Sequence, residues 1–184
     1  MICLFSIQTW AQSGKLFNTD NQLSSNLATQ VFQDKSGFIW IATRNGLNNY
    51  DGYHINVIKK DMSNFLGLNS NYINSIAQDE KEHILLGTNN SLLEFTGSEF
   101  LKIPMLDSKG GELATYVKQV YPLKNKDVAV ATSGYGIMLK KQDEQKCHAM
   151  KGEVEKLKYI LKLLEDKRGR LWIITEDGKL YRKE

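Results

Sequence analysis

Four threonines, Thr43, Thr88, Thr132 and Thr175, each close an apolar run, and they stand 45, 44 and 43 residues apart. The surrounding pattern returns with them. The first copy reads Val31-Phe32-Gln33-Asp34, then Phe38-Ile39-Trp40-Ile41-Ala42-Thr43. The second is Ile76-Ala77-Gln78-Asp79, then Ile84-Leu85-Leu86-Gly87-Thr88, and the fourth is Leu163-Leu164-Glu165-Asp166, then Leu171-Trp172-Ile173-Ile174-Thr175. The third is worn: Val120-Tyr121-Pro122-Leu123, then Val128-Ala129-Val130-Ala131-Thr132. A repeat of that length with several strands per unit is the signature of propeller blades.

Local chemistry agrees with that period. Asp34-Lys35-Ser36-Gly37 and Asp166-Lys167-Arg168-Gly169 are turn sequences between apolar runs, and Asn45-Gly46 and Asp177-Gly178 are strong short hairpin signals. Each unit therefore reads as four antiparallel strands, at about 27–33, 38–43, 47–50 and 53–58 in the first. The second strands are apolar without alternation because a middle strand is covered on both faces by neighbouring blades. Trp40, Leu85 and Trp172 share one repeat position and read as wedges between blades. The segment 153–166 also fits helical spacing, through Val154, Leu157, Ile160, Leu161 and Leu164. The repeat register instead makes 159–166 a first strand. The fold class expected is all-β, four blades of about 44 residues forming a partial propeller: 23–67, 68–112, 113–156 and an incomplete 157–184.

Outside the repeats lie residues 1–11 and a lead-in over 12–22. Met1 to Ala11 carries no charge, and Thr9-Trp10-Ala11 places small residues where a signal peptidase inspects, so 1–11 reads as the remnant of an export signal. A buried N-terminal strand is the alternative. Cys3 would leave with the signal and Cys147 would stand alone, so no disulfide framework is expected. Cys147 reads as a small buried or semi-buried hydrophobe, with His148 on the opposite strand face. A net charge of +3 without a basic stripe argues against nucleic-acid contact, and no apolar run approaches the length of a spanning helix.

Leu23-Ser24-Ser25-Asn26, Gln33-Asp34, Gly37-Phe38-Ile39-Trp40-Ile41-Ala42-Thr43, Gly46-Leu47 and Tyr50-Asp51-Gly52 resemble two-component regulator propeller repeats. Leu68-Asn69-Ser70-Asn71 with Gln78-Asp79 and Gly87-Thr88 looks like the next copy. Blade two departs at Glu82 and Ser91, and blade three at Leu123 and Lys126. The resemblance implies the periplasmic sensor of a hybrid two-component system in polysaccharide-degrading bacteria. It further implies a parent with two seven-bladed propellers, an immunoglobulin-like domain, a membrane helix, a histidine kinase, a receiver and a DNA-binding domain. This chain would then be an N-terminal piece. A closed four-bladed propeller competes, with Lys15-Leu16-Phe17-Asn18 supplying the outer strand of blade four.

Catalytic constellations are mostly missing. His54, His83 and His148 show no metal-ligand spacing, and His54 and His83 read as exposed surface. Asp34, Asp79 and Asp166 recur at one repeat position, which fits turn capping rather than paired-carboxylate catalysis. Ser133-Gly134-Tyr135-Gly136 reads as a hairpin turn and Gly110-Gly111 as a loop bend. Candidate ligand-binding residues lie on the rim shared by second-to-third-strand hairpins and blade connections. They are Arg44, Asn45, Asn89, Asn90, Tyr135, Glu176 and Asp177, accompanied by Ser133, Asn69 and Asn71. Amides, a phenol and a guanidinium suit a hydroxyl-rich or anionic sugar. The expectation is a non-catalytic, exported, ligand-sensing segment without a cofactor. Its expected partners are an oligosaccharide, the remaining blades of the parent and a second copy. A propeller lyase and a plain interaction propeller are the alternatives.

Overall fold

The computed structural model describes residues 14–60 and 67–184, so the predicted signal remnant at 1–11 lies outside the described residues. Blade one is β1 (Ala28–Gln33), β2 (Ile39–Thr43), β3 (Gly46–Tyr50) and β4 (Ile55–Ile58), antiparallel in that order. Blade two repeats it with β5 (Ile73–Gln78), β6 (Ile84–Thr88), β7 (Leu92–Phe95) and β8 (Phe100–Ile103). A hairpin then intervenes, β9 (Met105–Leu106) and β10 (Glu112–Leu113). Blade three is β11 (Tyr116–Pro122), β12 (Val128–Ser133), β13 (Ile137–Lys140) and β14 (Cys147–Ala149). β9 joins β14 in parallel, which widens this sheet to six strands. Blade four has β15 (Ile160–Glu165), β16 (Leu171–Thr175) and β17 (Leu180–Lys183).

The Gly110-Gly111 bend is the tip of the β9–β10 hairpin, where Asp107 Oδ1 accepts the N–H groups of Lys109 and Gly111. Two-residue strands leave no periodicity to read. The helical-looking segment spends its propensity in a single 3-10 turn, Glu153–Lys156, before β15 begins. Its spacing has a physical origin. Each first strand carries a bulge at the same repeat position, between Ala28 and Gln30, Ile73 and Ser75, Val117 and Gln119, and Ile160 and Lys162. One extra residue converts the two-residue alternation into a three-residue step. Ile73 and Ile76, Val117 and Val120, and Ile160 and Leu163 are all buried as a result. A bulged strand can imitate a helix in sequence.

Turn chemistry follows the repeat even where the residues depart from it. Asp34 Oδ1 accepts Phe38 N–H at 2.9 Å, and Asp166 Oδ1 accepts the N–H groups of Arg168 and Arg170 at 2.9 and 3.1 Å. Glu82 and Lys126 hold the glycine position of this turn with φ of 67° and 73°. The sheet register thus imposes a left-handed conformation on side-chain-bearing residues.

The core consists of three interfaces between successive blades. Trp40, Ala42 and Leu47 pack on Ile73, Ile76, Ile84 and Leu86. Ala77, Leu85 and Leu92 pack on Val117, Val120, Val128 and Val130, with Cys147 buried among them. Ala129, Ala131 and Ile137 pack on Ile160, Leu163, Leu171 and Ile173. Trp40 meets Phe95 of blade two edge-on with centroids 5.8 Å apart, a wedge as its repeat position implied. Close approach needs a small residue one place before each threonine: Ala42, Gly87 and Ala131, against which the next first strand lies. Blade four carries Ile174 there, 40% exposed, with no following blade against it among the described residues.

First strands contact one another in succession, β1 with β5, β5 with β11 and β11 with β15, while the fourth strands diverge. The blades therefore fan out as an arc, and among the described residues blade four forms no substantial packing with blade one. The closed four-bladed alternative is not what the structure shows. Nor does Lys15–Asn18 complete blade four. Phe17 packs edge-on against Tyr50 of blade one at 5.2 Å, with Lys15 Nζ 5.5 Å above the Tyr50 ring.

A methyl added at Gly87 would lie 2.5 Å from Val117 Cγ1. Gly87→Ala should therefore cost about 1–3 kcal/mol by overpacking, read as a lower urea midpoint. An unchanged midpoint would show that this interface yields freely. Lys126→Gly should instead gain up to about 1 kcal/mol. Relief of the left-handed strain, about 1–2 kcal/mol, is partly offset by the greater chain entropy of glycine. A fall in stability would mean that the strain is absent.

Candidate functional site

The bulge that offsets each first strand also decides what its start presents. The residue two places before each bulge residue falls on one repeat column: Leu27, Tyr72, Tyr116 and Tyr159. The bulge residues are Thr29, Asn74, Lys118 and Leu161. These residues stand at the second-to-third-strand hairpin end of the blades, next to the turns that carry Arg44, Asn89, Ser133 and Glu176. The N–H of Arg44 donates to Leu27 O, and that of Glu176 to Tyr159 O, at 3.1 and 3.0 Å.

Within this column the side chains form one continuous strip. Arg44 Cζ lies 5.6 Å from the Tyr72 ring centroid, and Tyr72 meets Tyr116 edge-on at 6.1 Å. Lys118 Nζ sits 4.5 Å from the Tyr116 centroid and 3.1 Å from Glu176 Oε1. Ser133 Oγ donates to the same Glu176 oxygen at 3.0 Å. The Tyr116 hydroxyl donates to Asn74 Oδ1 at 2.8 Å, and Asn74 Nδ2 donates to Val117 O at 3.0 Å. Contacts thus run from blade one to blade four without a break. Two half-buried phenol rings flanked by a guanidinium and an ammonium can stack on an apolar sugar face and pair with an anionic group.

The structure distributes the predicted rim residues unequally. Arg44 and Glu176 join the strip. Asn45 is exposed beside Arg44, with its N–H bonded to Thr43 Oγ1. Asn89 accepts from Ser70 Oγ of the blade connection at 2.7 Å, and Asn90 from Thr88 Oγ1 of its own hairpin at 3.0 Å, and both residues are exposed. Asn69 exchanges hydrogen bonds with Ser91, and the Asn71 carbonyl accepts Gly46 N–H, which ties blade two to blade one. Asp177 accepts from Thr175 Oγ1 and pairs with Lys179 at 2.7 Å. Its carboxyl is held down at about 2, first by Lys179 and then by Thr175. Tyr135 is brought together with Leu106, Asp107, Glu155 and Lys158 around a small cavity of about 130 Å³, apart from the strip.

Sequence reasoning missed Tyr72, Tyr116, Asn74 and Lys118. The signal was available, because the same register that aligns the threonines stacks three tyrosines in one column. A larger cavity of about 690 Å³ lies at the opposite hairpin end, between Leu139, His148 and Met150 of blade three and Leu171 and Lys183 of blade four. It borders β17, the edge strand of its sheet. His83 is half-buried against Asp79 and Glu94 rather than exposed. His54 is exposed as expected, and Cys147 is buried, its thiol pushed up to about 12 by burial.

Four consecutive blades of antiparallel strands fanning from their first strands, with bulges in one register, define a β-propeller repeat protein. The two-component regulator propeller family model matches residues 22–45, 67–90 and 156–177, so these three stretches are similar to repeats of that family. The matches fall on blades one, two and four, so the worn third copy is the one passed over. No curated protein matches the chain in sequence. Among solved structures, it is similar to the extracellular domain of the hybrid two component system BT4673 from B. thetaiotaomicron. Identity is 18% and the TM-score 0.73, over 86% of this chain and 24% of that one. PorZ, a surface component of the type-IX secretion system of Porphyromonas gingivalis, aligns at 20% identity and TM-score 0.63, over 85% and 26%. Virginiamycin B lyase from Staphylococcus aureus aligns at 11% and 0.61, over 89% and 57%. The chain thus spans about a quarter of the first two structures. No helix among the described residues is long and apolar enough to cross a membrane.

Burial, and then the Tyr72 phenol beside it, push the Tyr116 phenol up to about 12. A raised phenol pKa favours the neutral form in the folded state. That stabilisation is fully present below the ordinary tyrosine value of about 10 and is lost as pH rises towards 12. Phenolate absorbance should show one late ionisation step that disappears in Tyr116→Phe. A late step that survives the substitution would place it on another tyrosine.

Proposed function

We propose that this chain is a non-catalytic, periplasmic ligand-sensing segment of a hybrid two-component sensor, and that its ligand is an acidic or hydroxyl-rich glycan breakdown product. The observation that carries the reading is the strip Arg44–Tyr72–Tyr116–Lys118–Glu176, which crosses four blades on one rim. Sugars present an apolar ring face and a polar edge, and the strip offers phenol rings between cationic groups. A ligand lying along it touches several blades at once. It therefore favours one relative arrangement of the blades over others, and a population shift is the physical form of a signal.

The family repeats and the fold shared with an extracellular sensor domain support this reading over catalysis. A propeller lyase is the second reading, favoured by the fold shared with virginiamycin B lyase. Against it, the strip contains no histidine among the described residues; His83 lies in the first hairpin of blade two, at the other end of that blade, and His54 on exposed surface. In this proposal the parent protein is anchored in the inner membrane and carries the kinase. Further blades cover the exposed Leu164 and Ile174 of blade four and Val31 of blade one. A second copy completes the signalling unit, and this segment makes no nucleic-acid contact.

Calorimetric titration with uronic-acid-containing and neutral oligosaccharides tests the assignment. Arg44→Ala and Tyr116→Ala should each weaken binding about tenfold or more, by loss of a charge-assisted hydrogen bond or of ring stacking, whereas Asp177→Ala should leave it unchanged. Binding that survives both strip substitutions, or turnover of any sugar, would reject the reading.

A further inference from the structure

Blade two breaks a rule that blades one and four keep. In those blades the first-hairpin aspartate gives one oxygen to turn N–H groups and the other to an indole. Trp40 Nε1 donates to Asp34 Oδ2 at 2.7 Å, and Trp172 Nε1 to Asp166 Oδ2 at 3.0 Å. Blade two has Leu85 at the tryptophan position. Asp79 Oδ1 still accepts the N–H groups of Lys81 and His83, both at 2.9 Å. Its Oδ2 has no indole. His83 Nδ1 enters instead, 3.7 Å from Asp79 Oδ2 and 3.2 Å from Glu94 Oε1.

Glu94 faces Leu85 across β6 and β7, where blade one has Asn49 opposite Trp40. Its side chain is 4% exposed and that of Asp79 7%, so two carboxylates are buried at one point. The Glu94 carboxylate reaches His83 through Oε1, at 3.2 Å from the ring Nδ1. Lys140, buried on the blade-three face turned towards blade two, forms no ion pair there among the described residues. Two carboxyl groups buried side by side are costly unless a cation or a full set of hydrogen bonds joins them.

We infer that Asp79, His83 and Glu94 form a binding site for a divalent transition-metal cation of the zinc type. One donor atom from each lies within 4.8 Å of the others. Tetrahedral ligands about 2.0–2.2 Å from zinc stand roughly 3.3–3.6 Å apart, and the 3.2 and 3.7 Å separations bracket that spacing. One imidazole with two carboxylates suits a zinc-type ion; magnesium and calcium prefer six or more oxygens. A dication balances both carboxylates. His83 is half-exposed at the hairpin end, which gives the ion an entry path, and the fourth position takes water. The bound ion ties the first hairpin of blade two to β7 and takes over the bracing that the indole supplies elsewhere.

Zinc titration of the chelator-treated full chain tests this, read by calorimetry, by thermal midpoint and by the visible absorption of cobalt(II). The result expected is one equivalent bound, a raised midpoint and a tetrahedral cobalt spectrum. Glu94→Gln, which keeps the shape, and His83→Ala should each weaken binding by more than about 100-fold, the loss of one ligand in three exceeding second-shell effects of 10–100-fold. His148→Ala should not change it. Far-UV circular dichroism establishes that each variant is folded, and Glu94→Gln carries the test if His83→Ala is not. Absence of binding by the unsubstituted chain, binding retained in Glu94→Gln, or loss in His148→Ala overturns the site.

Discussion

The first strands of successive blades lie side by side, yet their fanning keeps their backbones from forming a ladder. Each would leave an edge of unpaired N–H and C=O groups in the interior, and that edge must be satisfied. Side chains at one repeat position do it. Gln30 Nε2 donates to Ile76 O at 2.8 Å while its Oε1 accepts Ile76 N–H at 2.9 Å. Gln119 makes the same pair of bonds to Leu163, at 3.3 and 2.7 Å. Between blades two and three the shorter Ser75 accepts Val120 N–H at 3.0 Å, and Asn74 supplies the second bond to Val117 O. A primary amide is the one neutral group that offers donor and acceptor in the geometry of a backbone pair. The arc holds together because side chains imitate a missing strand.

That constraint explains the bulges. A regular strand would point the bridging residue and its neighbours alternately at the two faces of the sheet. The extra residue lets the amide reach the next blade while Ile73 and Ile76, or Val117 and Val120, still enter the same core. It also swings the bulge residue towards the rim, which is how Lys118 comes to lie over Tyr116 and against Glu176. The candidate site is a by-product of the device that joins the blades.

How much of this was legible follows from the range of each interaction. Local signals read well: the four-fold period, strand positions within a residue or two, and the aspartate turn caps, all confined to a few consecutive residues. The bonds of Asn89 to Ser70 and of Asn90 to Thr88 carry no sequence signal, because a short exposed polar turn reads the same with or without them. The i, i+3 spacing at 160–163 looked helical because a bulge and a helix produce the same apolar step. Glu94 carried no signal towards His83, eleven residues away in sequence, since their meeting depends on the β6–β7 register and on Leu85. Cross-strand neighbours become visible only once a register is known.

Blade two shows how a repeat acquires a new property without losing its fold. Replacing a tryptophan with leucine removes both a wedge and a hydrogen-bond donor. The wedge can be restored by apolar neighbours, and Leu85 is fully buried among Ala77, Val117 and Val130. The donor cannot, since no apolar group satisfies a buried carboxylate oxygen. Blade three takes the other route: Leu123 and Ala129 replace acid and indole together, and nothing polar remains to satisfy. Blade two keeps the acid because Asp79 still caps its turn, and so a charge persists where its partner has gone. A second carboxylate beside it would make matters worse unless a cation joined them. The retention of both, closed over by one imidazole, is the physical reason to look for a metal here and not in the other blades.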